Sequence, residues 1–235
     1  MSQGHRRFPA IGRALGAKVI NPGVSKFFYK MVPDRKNYET RKDFLQLLIE
    51  LKNRKDPTES SNTGKVRHEI NAVMAKHGTI TYDSMNEMKY MQQVIDETLR
   101  MYPPVPIITR QCVEDYKVPD SDTVIERGTM VLVCIKAIHH DEKYYPNPDK
   151  FDPDRFTEEN KSRRHHYSHL PFGQGHRICI GERFGIMQTK VGLTTILKNF
   201  NVKLNNKTKL PLKISTKSII TRAEGDIWLN LEKLN

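Results

Sequence analysis

A chain of 235 residues can hold one large domain or two small ones, and its 37% hydrophobic and 28% charged residues support a modest core. Lys and Arg outnumber Asp and Glu by 39 to 27, a formal charge of +12 that suits an acidic partner or an anionic surface. No nucleic-acid motif accompanies that charge, so nucleic acid is not an expected partner. The three cysteines, Cys112, Cys134 and Cys179, are odd in number and form no C-x-x-C pair, which argues against a zinc ribbon or a disulfide framework and for a reducing compartment.

In chain order, the first 35 residues are basic and dotted with glycine, and contain the aromatic run Phe27, Phe28 and Tyr29. They lack the apolar block of a signal peptide, and no run of roughly 20 apolar residues occurs anywhere, so membrane contact is expected to be peripheral or through a segment not in this sequence. Phe44, Leu45, Leu48 and Leu51 recur at helical spacing and predict a helix over residues 41–54. Polar residues around Pro57 predict a loop or junction over 55–64, followed by a helix over 66–77. The clearest amphipathic helix is expected over 81–101, with Met88, Met91, Val94, Ile95 and Leu99 on one stripe and Pro103-Pro104 as its stop. Strands are expected over 105–109 and 123–135, the second broken by a hairpin turn at Arg127-Gly128. Residues 141–156, rich in Pro and Asp, read as an ordered loop. A helix over 182–200 is expected to turn Phe184, Met187, Val191, Thr194 and Leu197 to one side, and short strands to follow over 214–220 and 227–231. Helices followed by small strand runs predict a mainly α fold with small β-sheets, an α+β chain. Its expected division is a partial helical segment over 1–64 and a second region over 65–235.

The most informative segment is Pro171-Phe172-Gly173-Gln174-Gly175-His176-Arg177-Ile178-Cys179-Ile180-Gly181, placed directly before the helix expected from Glu182. A cysteine just ahead of a helix meets the positive end of the helix dipole, which favours an anionic sulfur able to ligate a metal. Nearby backbone amides can donate to that sulfur and tune the metal. Gly175 permits a tight turn with positive φ, and Gly181 removes a side chain where a flat ring must approach. Arg177 offers a planar fork for a carboxylate, and Phe172 an apolar cover on the sulfur side. A lone cysteine is most often a small buried hydrophobe. The pattern F-x-x-G-x-R-x-C-x-G fixes five positions, however, and chance would place it in on the order of one such chain in ten thousand.

This segment resembles the cysteine signature of the cytochrome P-450 family, the haem-thiolate monooxygenases. Two more motifs agree: Glu97-Thr98-Leu99-Arg100 on a helix, and Phe151-Asp152-Pro153-Asp154-Arg155-Phe156 further on. Residues 89–110, 124–139 and 144–200 are similar to the microsomal insect detoxification branch. The resemblance implies the carboxy-terminal part of the family's fold, haem b as cofactor, and Cys179 as the ligand of its iron, with electron density from the thiolate favouring O–O cleavage. It implies that Arg177 and Arg110 reach haem propionates. It also implies that Glu97, Arg100 and Arg155 form a structural network behind the loop, with no chemistry of their own. No catalytic residue is assigned. The implied partners are an acidic NADPH-dependent reductase and a small apolar substrate, at the cytoplasmic face of the endoplasmic reticulum membrane.

Two departures from the family pattern stand out. Its membrane anchor and long amino-terminal half are not in this sequence, and no A-G-x-x-T element occurs. Thr58-Glu59-Ser60-Ser61-Asn62-Thr63 runs straight into Gly64-Lys65-Val66-Arg67-His68-Glu69-Ile70, so an internal gap near residues 55–65 removes the family's central helix. A haem with one wall reacts without control, which predicts poor or no turnover by this chain alone. One alternative is therefore a non-catalytic haem-binding or reductase-binding remnant. A remoter one is a zinc site built from His165, His166 and His169 with His176.

Overall fold

The structure, a computed structural model, describes residues 62–216 and 218–234. The helix expected over 41–54, most of the junction at 55–64 and the aromatic run near residue 28 lie outside the described residues. Six α-helices and six strands follow one another among the described residues: α1 (Asn62–His77), α2 (Tyr82–Glu87), α3 (Lys89–Met101), β1 (Ile107–Gln111), β2 (Tyr116–Lys117), β3 (Val124–Ile125), β4 (Met130–Cys134), α4 (Ile135–His139), α5 (Glu158–Arg163), α6 (Glu182–Asn199), β5 (Phe200–Leu204) and β6 (Leu229–Lys233). The expected mainly helical α+β architecture is what these elements make.

The core lies where α1, α3 and α6 meet. Val66, Ile70, Val73 and Met74 recur along one face of α1, and each is buried. They pack with Met91, Val94 and Ile95 of α3 and with Val191, Leu193, Ile196 and Leu197 of α6. The predicted stripe on α3 is therefore the core face, with Leu99 at its half-buried margin. α1 begins at Asn62, earlier than expected, so it crosses the expected boundary at residue 64. Gly78, at φ +70°, ends it by donating to the Met74 carbonyl (2.9 Å).

The single helix expected over 81–101 is two helices. Thr81 starts the first with a reciprocal cap: its hydroxyl accepts from the Ser84 amide (3.1 Å), and the Ser84 hydroxyl accepts from the Thr81 amide (2.8 Å). Met88 then leaves helical geometry (φ −74°, ψ 84°) and separates α2 from α3. The backbone groups exposed by this break are met by charged side chains from other helices. Lys190 of α6, itself buried, donates to the carbonyls of Met85 (2.9 Å) and Met88 (3.2 Å). Glu69 of α1 accepts from the amides of Tyr90 and Met91, both at 2.8 Å, in the first turn of α3. Arg67, also on α1, donates to the carbonyls of Leu197 (3.1 Å) and Phe200 (3.2 Å) at the far end of α6. Each charge opposes the dipole of the helix end it meets. Glu69→Ala is expected to cost about 1–2 kcal/mol, the range for a lost amino-terminal cap, seen as a lower thermal midpoint that Glu69→Gln partly restores.

The sheets are three antiparallel pairs. β1 pairs with β4 in the register Ile107↔Cys134 to Gln111↔Met130, and β2 pairs with β3. The hairpin expected at Arg127-Gly128 is thus not formed between the strands on either side of it. Gly128, at φ +88°, instead donates to the Cys112 carbonyl (2.7 Å) and so extends the β1–β4 ladder. Ile135, expected at a strand end, opens α4. β5 continues directly from α6 and pairs with β6, with Val202 opposite Leu231. The strand expected over 214–220 is reduced to one bridge between Ile214 and Ala223. That tail returns to the end of α3, where Thr221 donates to the carbonyls of Pro103 (2.6 Å, hydroxyl) and Pro104 (2.9 Å, amide).

Candidate cofactor site

The cysteine loop hangs between Leu170 and the start of α6. Gly173 and Gly175 both take positive φ (+74° and +76°), so the chain reverses twice within three residues. The turns are closed by backbone bonds: Gly173 N–H to the Leu170 carbonyl (3.1 Å), Ile178 N–H to the Gly175 carbonyl (3.0 Å), and Cys179 N–H to the Phe172 carbonyl (2.9 Å). Gly181 is the amino-terminal cap residue of α6. Cys179 therefore sits two residues ahead of the helix cap, at the helix's positive end, with its side chain exposed.

Around it the surface is apolar. Ile178, Ile180 and Phe184 are all exposed, Ile180 completely so. Phe184, expected on the same side of its helix as Met187, Val191, Thr194 and Leu197, is exposed, while Val191, Thr194 and Leu197 face the core and Met187 lies at its edge. An α-helical stripe wraps only as far as there is protein to cover it, and α6 outruns the core at its amino-terminal end. Arg110 comes to this place from β1. Its Nη2 lies 3.9 Å from where a Cβ on Gly173 would stand, with the Arg177 carbonyl 3.8 Å from the same point. A Cβ on Gly181 would meet the Cys179 sulfur at 3.8 Å, so its bareness keeps the approach to that sulfur open. Arg177 is exposed on the same loop, and Phe172 is half-buried with its carbonyl committed to Cys179. One soft sulfur donor, an apolar rim and two guanidinium groups suit a flat apolar macrocycle carrying a thiophilic metal and peripheral carboxylates. The residues present fit a haem.

Behind the loop lies a buried charge network. Glu97 and Arg100 are both fully buried and meet in a bidentate pair, with Arg100 Nε 2.6 Å from Oε2 and Nη2 3.0 Å from Oε1. Oε1 also accepts from the Asp152 amide (2.8 Å). Arg100 donates further to the carbonyls of His139 (2.8 Å) and Pro148 (2.6 Å), pinning α4 and the turn after it. The network anticipated from the motifs is therefore present, but it is not two matching forks. Arg155 Nε stands 3.5 Å from Glu97 without a hydrogen bond, and its Nη2 is given to the Asn147 carbonyl (3.0 Å). The carboxylate sees one strong fork and one looser cation.

The histidines considered as a zinc site do not converge. His165 accepts from the Tyr167 amide (3.3 Å) at the start of a 3-10 turn, His166 contacts Gln174 (2.7 Å), and His176 is exposed on the loop. His169 instead turns inward, stacked on His139 and in tilted contact with Phe156. Among the described residues no group of three or more His, Cys, Asp and Glu side chains could hold a metal ion. Residues that sequence reasoning missed are Gly173, whose positive φ could have been suspected from its spacing to Gly175, and the inner histidines, for which the sequence carries no signal. Tyr145 belongs with them: fully buried, it donates to the Ser168 carbonyl (3.0 Å), and packing against Arg100 and Arg164 completes its surroundings.

A glycine-turned cysteine loop opening a long helix, braced by a buried Glu-Arg pair inside a mainly helical α+β body, sets the class of protein. The family model described as cytochrome P-450 matches residues 58–230. The probable cytochrome P-450 6a13 of Drosophila melanogaster is 34% identical over 267 positions, covering 96% of this chain and 54% of the relative. Cytochrome P-450 6a2 of the same organism is 36% identical over 278 positions, covering 97% and 55%. Cytochrome P-450 6k1 of Blattella germanica is 45% identical over 170 positions, 72% of this chain and 32% of the relative. This chain belongs to the cytochrome P-450 family, and its similarity is to insect members. It spans about half the length of the curated relatives it matches. The two longer matches run over more positions than the 235 residues available, so those relatives carry internal residues with no counterpart here.

Proposed function

We propose that the chain is the proximal haem-binding part of a haem-thiolate monooxygenase, inserting one oxygen atom from O₂ into a small apolar molecule. Cys179 supplies the thiolate ligand to the iron of haem b. Arg177 and Arg110 take the propionates, and Phe172, Gly175 and Gly181 shape the loop. When bound, the haem supplies the iron at which oxygen is activated, with the thiolate pushing electron density toward O–O cleavage. The protein's own part is to hold one sulfur at a fixed height on the end of α6, to keep water off it with Ile178, Ile180 and Phe184, and to fix the loop from behind through Glu97 and Arg100. The observation that carries this reading is the exposed Cys179 thiol on an apolar rim at a helix amino terminus.

The electrons would come from an acidic NADPH-dependent reductase, consistent with the net charge of +12. The site of action would be the cytoplasmic face of the endoplasmic reticulum membrane, with peripheral contact. Among the described residues no helix is long and apolar enough to cross a membrane. We also propose that turnover by this chain alone is poor or absent, leaving a haem- or reductase-binding remnant. The internal residues of the relatives that lack counterparts here support this, because an uncovered cofactor face is open to water. NADPH-dependent substrate oxidation by the purified chain with reductase would overturn that part.

The test of the site is the absorbance of the haem-reconstituted, dithionite-reduced chain under carbon monoxide. A red-shifted Soret band that disappears in Cys179→Ala is expected. No haem uptake, or a band typical of non-thiolate ligation in the unaltered chain, would sink the assignment.

A further inference from the structure

Two histidines outside the ligand loop hold its entry. His139 of α4 is fully buried, and both of its ring nitrogens are in use. The Leu170 amide points at Nε2 (2.8 Å), so Nε2 must carry a lone pair. Nδ1 then carries the proton and donates to the Arg100 carbonyl (3.1 Å) at the end of α3. His169, next to Leu170, stacks on His139 with ring centroids 5.3 Å apart and planes 23° from parallel. Its Nε2 lies 3.3 Å from the Asp96 carbonyl, and the Phe156 ring meets it at a tilt, with centroids 4.7 Å apart. Residues 169 and 170, just ahead of the loop, are thus tied to the backbone of α3 through two imidazoles, and the Leu170 bond requires a neutral His139, because its Nε2 must accept. A second proton on His139 would set one donor against another at Leu170.

We propose that His139, with His169 stacked on it, is a positioning residue for the cysteine loop, a latch made by its neutral imidazole that lets go of Leu170 when His139 takes up a proton.

The charged surroundings support a latch that resists protonation and then fails. From α3 the pair meets Arg100, Glu97 and Asp96; from α4, His140; from the turns and α5, Tyr145, Arg164 and Lys161. The anions among these are already engaged. Glu97 serves Arg100 and the Asp152 amide, and Asp96 serves Lys161 (3.4 Å) and Gln92 (2.9 Å). A cation formed on the pair would find no free counter-charge. Burial holds the His139 imidazole down to about 4, helped by the Arg100 guanidinium and His140. His169 is depressed in the same direction, by burial and then by His139 and Arg164. His169 is the side chain the sequence offered as a metal ligand; the structure gives it this other use.

The latch is a property of the chain without cofactor, and it rests on the proposed ligand role of the loop only for its consequence. Amide hydrogen exchange of the cofactor-free chain therefore tests it separately from the carbon monoxide spectrum. After correction for the intrinsic pH dependence of exchange, protection at the Leu170 amide is expected to fall on the order of a hundredfold between pH 7 and pH 4. Ile70 of α1 and Leu193 of α6 should stay more protected than Leu170 over that range. His139→Gln, which keeps an acceptor for the Leu170 amide and does not titrate, should hold the protection at Leu170 nearly constant over that range. Exchange at Leu170 that tracks Ile70 at every pH would overturn the proposal, as would a His139→Gln chain that loses protection at Leu170 over the same pH range as the unaltered one. Should that variant not fold, the comparison of Leu170 with Ile70 in the unaltered chain decides alone.

Discussion

Arg100→Ala should lower the unfolding free energy by about 3–5 kcal/mol, the cost of leaving one member of a buried ion pair without its partner. Both side chains of the pair are fully buried. With Arg100 gone, Glu97 keeps the Asp152 amide and the loose Arg155 cation, which stands 3.5 Å away. The carbonyls of His139 and Pro148 lose their donor as well. In a chain of this size the loss corresponds to a thermal midpoint lower by roughly 10 °C. Arg155→Ala should cost less, about 1–2 kcal/mol, because its contact with Glu97 is an ion pair without a hydrogen bond. The ordering is the informative part, since two equivalent forks would give equal losses. Denaturant titration of Arg100→Ala, Arg155→Ala and the double variant measures it, and an Arg100→Ala loss under about 1 kcal/mol would contradict the buried pair as described.

How far the sequence reached follows from what each feature depends on. The cysteine loop, the Glu97-Arg100 spacing and the Arg155 motif were readable because they are local: fixed residue types at fixed offsets. The α3 stripe was readable for the same reason, since period and burial coincide over Met91, Val94 and Ile95. The break at Met88 was not, because methionine is a good helix former and nothing local stops it. It is stabilised from a distance by Lys190, about a hundred residues later in the chain, and by Glu69. Strand pairing failed likewise. Arg127-Gly128 makes a turn, as its glycine advertises, but the partner of β4 is β1, chosen by tertiary packing. Phe184 shares the helical period of Val191 and Leu197; only the extent of the core shows that it lies beyond it, exposed. His169 was grouped with its neighbours His165 and His166, although its ring goes the other way.

That inward ring has a thermodynamic consequence for the whole chain. Relative to an ordinary histidine at 6.5, His139 is held to about 4 in the folded state. Between those values the unfolded chain binds a proton that the folded chain refuses. The stability contributed by the neutral ring is therefore complete above pH 6.5, is lost progressively as pH falls, and is spent by about pH 4, amounting to about 3 kcal/mol. His169, depressed in the same direction, adds to the slope. Asp96 opposes it, because burial raises its carboxyl and folding then favours the protonated form as pH falls. The contribution of His139 is isolated by comparing the unaltered chain with His139→Gln, which keeps one donor and one acceptor and does not titrate. Denaturant midpoints taken from pH 7 to pH 4 should fall steeply for the first and much less for the second, even though His139→Gln starts less stable at pH 7. Parallel curves would mean that the acid sensitivity of this fold lies in its carboxylates and not in the imidazole that holds the loop.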